Sequence, residues 1–154
     1  MEINLKINGE IRQLSIDYDE MLKDSLRRLG YDSVKSGCNT SSCGLCTVWL
    51  DEKPVLSCSV LTIRCEDKEI TTLEGVLEEA EHFGDFLTEE GGEQCGFCSP
   101  GLIMSVLALK KEGLTEEKEI KDHLQGNLCR CTGYFSQMRA IKKYIEEDGH
   151  EKTR

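Results

Sequence analysis

The sequence predicts an α+β protein, strand-bearing over residues 1–74 and helical over residues 75–154. Three observations carry this prediction. Apolar and polar positions alternate on both sides of an Asn8-Gly9 pair near the start. After about Glu74 that two-residue period disappears, and apolar residues recur at helical spacing instead. Each half also holds one set of four cysteines: Cys38, Cys43, Cys46 and Cys58 in the first, Cys95, Cys98, Cys129 and Cys131 in the second.

Taken in order, Ile3 to Ile7 and Ile11 to Ile16 alternate around the tight-turn pair Asn8-Gly9, which is a β-hairpin signal. Met21, Leu22, Ser25, Leu26 and Leu29 share one helical face, with Asp19 the expected cap and Gly30 the stop. Ser36 to Cys46 is small, polar and glycine-bearing, so it reads as a loop. Thr47 to Leu50 is a strand, Asp51-Glu52-Lys53 a turn, and Pro54 to Leu56 a returning edge strand. Glu69 to Thr72 is one more short strand.

In the second half, Leu73 to Phe86 is helical, with breaks expected at Gly84 and Gly91-Gly92. Pro100 suits a first helical turn and opens an apolar helix over Ser99 to Glu112, ended by Gly113. Thr115 is the expected cap of a helix through Leu124. Tyr134, Met138, Ile141 and Ile145 mark one face of a last helix, and Gly149 to Arg154 reads as a frayed tail.

Composition narrows the function. A net charge of −10 over 154 residues repels phosphates and argues against nucleic-acid binding. No apolar run approaches the ~20 residues that cross a bilayer, and the start lacks a secretory signal. A cytoplasmic, reducing location is therefore expected. Cysteines there more often bind metal or do redox chemistry than form bridges. Nine cysteines cannot all pair in any case. Cys65 belongs to neither quartet and reads as a small core thiol. His82, His123 and His150 read as surface residues, Trp49 as core, and the pairs Glu78-Glu79 and Glu116-Glu117 as solvated helix faces.

Four residues separate Cys38 from Cys43, two separate Cys43 from Cys46, and Cys58 follows after eleven more. The first three match the plant-type ferredoxin loop of a [2Fe–2S] cluster. Gly37 and Gly44 let backbone N–H groups approach cluster sulfurs, while Ser41 and Ser42 can add hydroxyl donors. In the second quartet, Cys95 and Cys98 lie on one side of a helical turn at the start of the apolar helix. The unpaired N–H groups and dipole at such a start favour thiolates. Cys129 and Cys131 point the same way from an extended backbone, and Gly96, Gly126 and Gly133 suggest tight passage around them. Two disulfide networks and two structural zinc sites are the competing readings. The first needs an oxidising compartment, and the second more often repeats short two-residue spacings.

The segments Gly37-Cys38-Asn39-Thr40-Ser41-Ser42-Cys43-Gly44-Leu45-Cys46, Ser57-Cys58, Gln94-Cys95-Gly96-Phe97-Cys98-Ser99-Pro100-Gly101 and Gly126-Asn127-Leu128-Cys129-Arg130-Cys131-Thr132-Gly133-Tyr134 together resemble the small iron–sulfur subunit of the molybdenum hydroxylases. This is the xanthine dehydrogenase and aldehyde oxidoreductase family. The resemblance spans Leu5 to about Ile145. It implies a β-grasp ferredoxin-like domain over 1–74 and a four-helix domain over 75–154, each with one [2Fe–2S] cluster. It implies a large molybdopterin-binding subunit and a medium FAD-binding subunit as partners, in a dimer of heterotrimers. Substrate would be hydroxylated at molybdenum, and electrons would pass through both clusters to flavin. Candidate substrates are purines, N-heterocycles such as nicotinate, and aldehydes, with carbon monoxide also open. By matching positions, Gln94 and Cys131 would contact the pterin. The chain departs from the family pattern at Ser41, commonly glycine, and at Gln137, usually aliphatic. It ends after the helical domain, so flavin and molybdenum domains are expected on separate polypeptides. The rival functions are a free two-cluster ferredoxin-type electron carrier and a non-enzymatic zinc scaffold.

Overall fold

The computed structural model describes the backbone of residues 1–151 and the side chains of residues 1–147. It is a mixed α/β structure with one five-stranded sheet and five α-helices. Glu2–Ile7 (β1) and Glu10–Ser15 (β2) pair antiparallel through the Asn8-Gly9 turn, where both residues have positive φ, 52° and 82°. That pair of left-handed residues matches strand twist, which is why Asn-Gly is favoured there. Thr47–Leu50 (β3) and Lys53–Leu56 (β4) form the second hairpin. Glu69–Thr71 (β5) joins them, parallel to β1 and antiparallel to β3, giving the order β2-β1-β5-β3-β4. Pro54 therefore lies on an edge strand, where its missing N–H costs no ladder bond.

The first helix, α1 (Leu22–Arg28), buries Leu22, Ser25 and Leu26 against the sheet, as its spacing predicts. Asp19 does not cap it. The preceding residue is Met21 with no side-chain cap, and the Val60 carbonyl accepts from Leu22 N–H at 2.8 Å instead. Four helices follow: α2 (Leu77–Glu89), α3 (Ser99–Lys111), α4 (Glu117–His123) and α5 (Phe135–Glu151). Gly84 is no break, because α2 runs through it and ends at Gly91-Gly92. The cap of α4 is Glu116 rather than Thr115, with Glu119 completing a capping box. Helix α5 continues past Gly149, where a frayed tail is expected; the side chain of His150 and residues 152–154 lie outside the described residues.

Buried apolar side chains form two clusters. One joins Ile3, Leu5 and Ile7 of β1 to Leu22, Leu26, Ile70 and Cys65, whose thiol is fully buried as expected. The other joins Phe83, Leu87, Leu109, Ile120 and Ile141 from the four later helices. Trp49 of β3 belongs to the second cluster and donates its indole N–H to the Met104 carbonyl in α3 at 2.9 Å. This contact locks sheet to helix. Among the described residues, no helix is long and apolar enough to cross a membrane.

Candidate metal centres

The loop of residues 36–46 wraps backbone N–H groups around Cys38. Those of Thr40 and Ser42, with further bonds from Cys43, hold its thiol down to about 6. Burial pushes Cys43 up and pushes Cys46 to about 11. Burial also works to raise Cys58, but hydrogen bonds from Ser41, Cys46 and Ser59 bring it below its ordinary value. Ser41 Oγ lies 3.4 Å from Cys58 Sγ. Ser41 has φ 53°, so the left-handed backbone that favours glycine is kept here by a serine.

The sulfurs come in pairs. Cys38 contacts Cys43, and Cys46 contacts Cys58. In the second set Cys98 contacts Cys129, while Cys131 and Cys95 Sγ lie 3.6 Å apart. All nine cysteines are free thiols. A separation of 3.6 Å far exceeds the ~2.05 Å of a disulfide. It is close to the ~3.7 Å between two thiolates on one tetrahedral metal with bonds of ~2.3 Å. Among the described residues, no three His, Cys, Asp or Glu side chains converge on a single point. Two thiolates per metal and two pairs per quartet suit the donor needs of a two-iron cluster.

Cys98 precedes α3 directly, and burial followed by the neighbouring Cys129 pushes it to about 11. Burial also opposes ionisation of Cys129, yet the Thr132 hydroxyl, 3.2 Å from its sulfur, and the Thr132 N–H lower it overall. Gln94, exposed, donates from Nε2 to the Cys131 carbonyl at 3.3 Å, so these two predicted contact residues meet. The quartets are joined directly: Leu128 N–H, next to Cys129, donates to the Cys43 carbonyl at 2.9 Å. Gly44 and Gly101 allow this approach. A Cβ on Gly44 would meet the Gly126 carbonyl at 2.4 Å, and one on Gly101 would meet the Gly44 carbonyl at 2.3 Å. Gly126 itself has open space where a Cβ would go, so the tight passage expected there falls on Gly44.

A [2Fe–2S] binding domain family matches residues 72–142. The nicotinate dehydrogenase small FeS subunit of Eubacterium barkeri is 40% identical over 149 residues, covering 94% of each chain. The xanthine dehydrogenase iron–sulfur-binding subunit of Escherichia coli O157:H7 is 43% identical over 137 residues, covering 86% of each. This chain belongs to the small iron–sulfur subunits of the molybdenum hydroxylases. Solved members have the same fold. Quinoline 2-oxidoreductase from Pseudomonas putida 86 superposes with a TM-score of 0.88 at 32% identity, over 98% of this chain and 96% of that one. Aldehyde oxidoreductase from Desulfovibrio gigas gives 0.86 at 34%, with this iron–sulfur subunit covering 18% of the longer chain.

Two features of this small subunit escape a reading of spacing. His123 is not a surface residue: its side chain is 15% exposed, and its Nε2 lies 3.1 Å from the Ser105 carbonyl. Gln137 is 4% exposed, with Nε2 3.8 Å from Cys98 Sγ. The signal for Gln137 was its place on the stripe of Ala140, Ile141 and Tyr144, where an amide needs a partner.

Proposed function

We propose that this chain is the electron-relay subunit of a heteromeric molybdenum hydroxylase. In this reading Cys38, Cys43, Cys46 and Cys58 hold one [2Fe–2S] cluster, and Cys95, Cys98, Cys129 and Cys131 hold a second. The paired sulfurs are the observation that carries it, and membership of the family supports it. When bound, the clusters supply one-electron redox chemistry between a molybdopterin on the large partner and FAD on the medium partner.

The chain's own residues divide the work. The two cysteine quartets would hold the clusters through their thiolates, with Cys43 and Cys46 buried and Cys95 and Cys131 exposed. The Cys43 carbonyl and Leu128 N–H hold the two cages against each other. Cys95, Cys131 and Gln94 are exposed, and so are the apolar side chains of Phe97, Leu128, Tyr134 and Phe135 beside them. An exposed apolar collar marks a face for a partner, and we assign it to the molybdopterin subunit, with Gln94 and Cys131 toward the pterin. We assign a β-grasp domain to 1–74 and a four-helix domain to 75–154; the two buried clusters support a division into halves, with Trp49 crossing from the first half into the second cluster. Relatives named for nicotinate, xanthine, quinoline and aldehyde oxidation support an N-heterocycle, purine or aldehyde as substrate. A cytoplasmic dimer of heterotrimers is the assembly proposed.

The test is metal and sulfide analysis with electron paramagnetic resonance of the reduced chain. Four irons per chain and two distinct [2Fe–2S] signals are expected. One signal, or zinc in place of iron, would remove the relay. Co-purification then separates a subunit from a free ferredoxin, since a stable complex containing molybdopterin is expected only of the subunit.

A further inference from the structure

Gln137 is the buried polar side chain that neither packing nor the cysteine count explains. It is the third residue of α5, and its neighbours on the buried stripe are Ala140, Ile141 and Tyr144. A leucine would fill similar volume without burying an amide, which is costly unless the amide is hydrogen-bonded. Gly92 packs close to its backbone, since a Cβ there would stand 3.4 Å from the Gln137 Cα. Its Nε2 reaches 3.8 Å from Cys98 Sγ. The side chain also lines the narrow slot between the quartets, together with Cys43, Leu45, Asn127 and Cys129. Besides its own backbone N–H, Gln137 is the donor that faces the Cys98 sulfur. Cys129, by contrast, takes its donors from Thr132 in its own loop.

We propose that Gln137 sets the reduction potential of the second site by donating its amide N–H to the Cys98 sulfur. This rests on the reading that Cys98 ligates a [2Fe–2S] cluster. Reduction of a bound cluster, by dithionite in a titration or by the molybdopterin partner in the complex, would add one electron with no bond formed or broken and no proton moved. The added charge would spread onto the thiolate sulfurs, so a fixed N–H dipole would stabilise the reduced form more than the oxidised one. The potential rises accordingly.

The experiment is a redox titration of the full, cluster-loaded chain followed by electron paramagnetic resonance. The signal perturbed by Cys98→Ser is assigned to the second site. In Gln137→Leu that signal's midpoint moves to more negative potential while the other signal stays put. Gln137→Glu, which keeps the shape but replaces the donor with a carboxylate, moves it further the same way. A purely structural glutamine would leave the midpoint unmoved. Two intact signals at wild-type midpoints in both variants overturn the proposal and leave the cluster reading standing. Absence of the second signal from the wild type overturns both. Pulsed resonance on chain carrying ¹⁵N-labelled glutamine adds a direct check, because Gln94 also adjoins the second site: a ¹⁵N coupling to the second signal that persists in Gln94→Leu and disappears in Gln137→Leu is expected, and a wild type without that coupling overturns the proposal.

Discussion

Substituting alanine for Gly101 and for Gly84 should have opposite effects, although both glycines lie in helices. Gly101 is in the first turn of α3, and a Cβ there would meet the Gly44 carbonyl oxygen at 2.3 Å and the Leu45 Cα at 3.0 Å. Weak C–H···O contacts sit at ~3.3–3.6 Å, so the methyl is roughly 1 Å too close. Both obstacles are backbone, which cannot rotate away. Overpacking of this kind costs ~1–3 kcal/mol, and helix propensity returns at most ~1 kcal/mol. With the clash against main chain, the upper end applies, leaving a net loss of ~2 kcal/mol. For a chain of this size that is a fall in melting temperature of ~4–8 °C. Gly84, inside α2, has nothing within 4 Å of where a Cβ would sit, so alanine there gains ~0.8–1 kcal/mol of propensity and melts ~2–4 °C higher. Differential scanning calorimetry at matched cluster content reads both. Hydrogen exchange adds a local check, because the Leu128 N–H bonded to the Cys43 carbonyl should exchange faster in Gly101→Ala alone. A Gly101→Ala chain as stable as the parent would refute the close approach of the quartets.

Three further outcomes are expected. Trp49→Phe removes the indole bond to the Met104 carbonyl, which keeps its helical partner, and empties part of a buried ring's volume, so it should cost ~1–3 kcal/mol in denaturant unfolding; a change below about 0.5 kcal/mol would mean the indole bond is idle. Ser41→Gly relieves a left-handed serine but removes the hydroxyl 3.4 Å from Cys58 Sγ, so stability should hold while the first site's midpoint turns more negative; an unchanged midpoint would count against that bond. Glu117 in α4 pairs with Lys121 and with Lys142 of α5, and these hydrogen bonds hold its carboxyl at about 2, below the usual 4.5. Its folded pKa is depressed, so its stabilisation is full above about 4.5 and is lost as pH falls toward about 2. Glu117→Gln should therefore flatten the acid limb of a melting-temperature profile between those values, and a limb of unaltered slope would contradict the pairing.

Local chemistry made several elements readable. The Asn8-Gly9 turn, the β3–β4 hairpin and the apolar α3 all follow from neighbouring residues, whose spacing repeats within a turn or a pleat. The cysteine spacings likewise single out Cys38, Cys43, Cys46 and the Cys95/Cys98 turn without reference to the rest of the chain. Caps were less readable. Asp19 and Thr115 were plausible from composition, but the chain entered each helix at Met21 and Glu116, a choice made by contacts with Val60 and Glu119. Gly84 reads as a break by propensity, yet Phe83 and Leu87 bury against the other helices and hold α2 continuous across it.

What the sequence determined by itself is therefore the set of donors and the periodic elements on either side of the loops that carry them, since both depend on residues within a few positions of one another. Tertiary structure alone decided that β5 enters the middle of the sheet, that Cys46 meets Cys58 and Cys95 meets Cys131, and that Cys43 is bonded to Leu128. It also decided that Gln137, 39 residues beyond Cys98, points its amide at that sulfur. Such contacts form only where packing brings distant backbone segments together, and Gly44 and Gly101 permit that approach by having no side chain to prevent it.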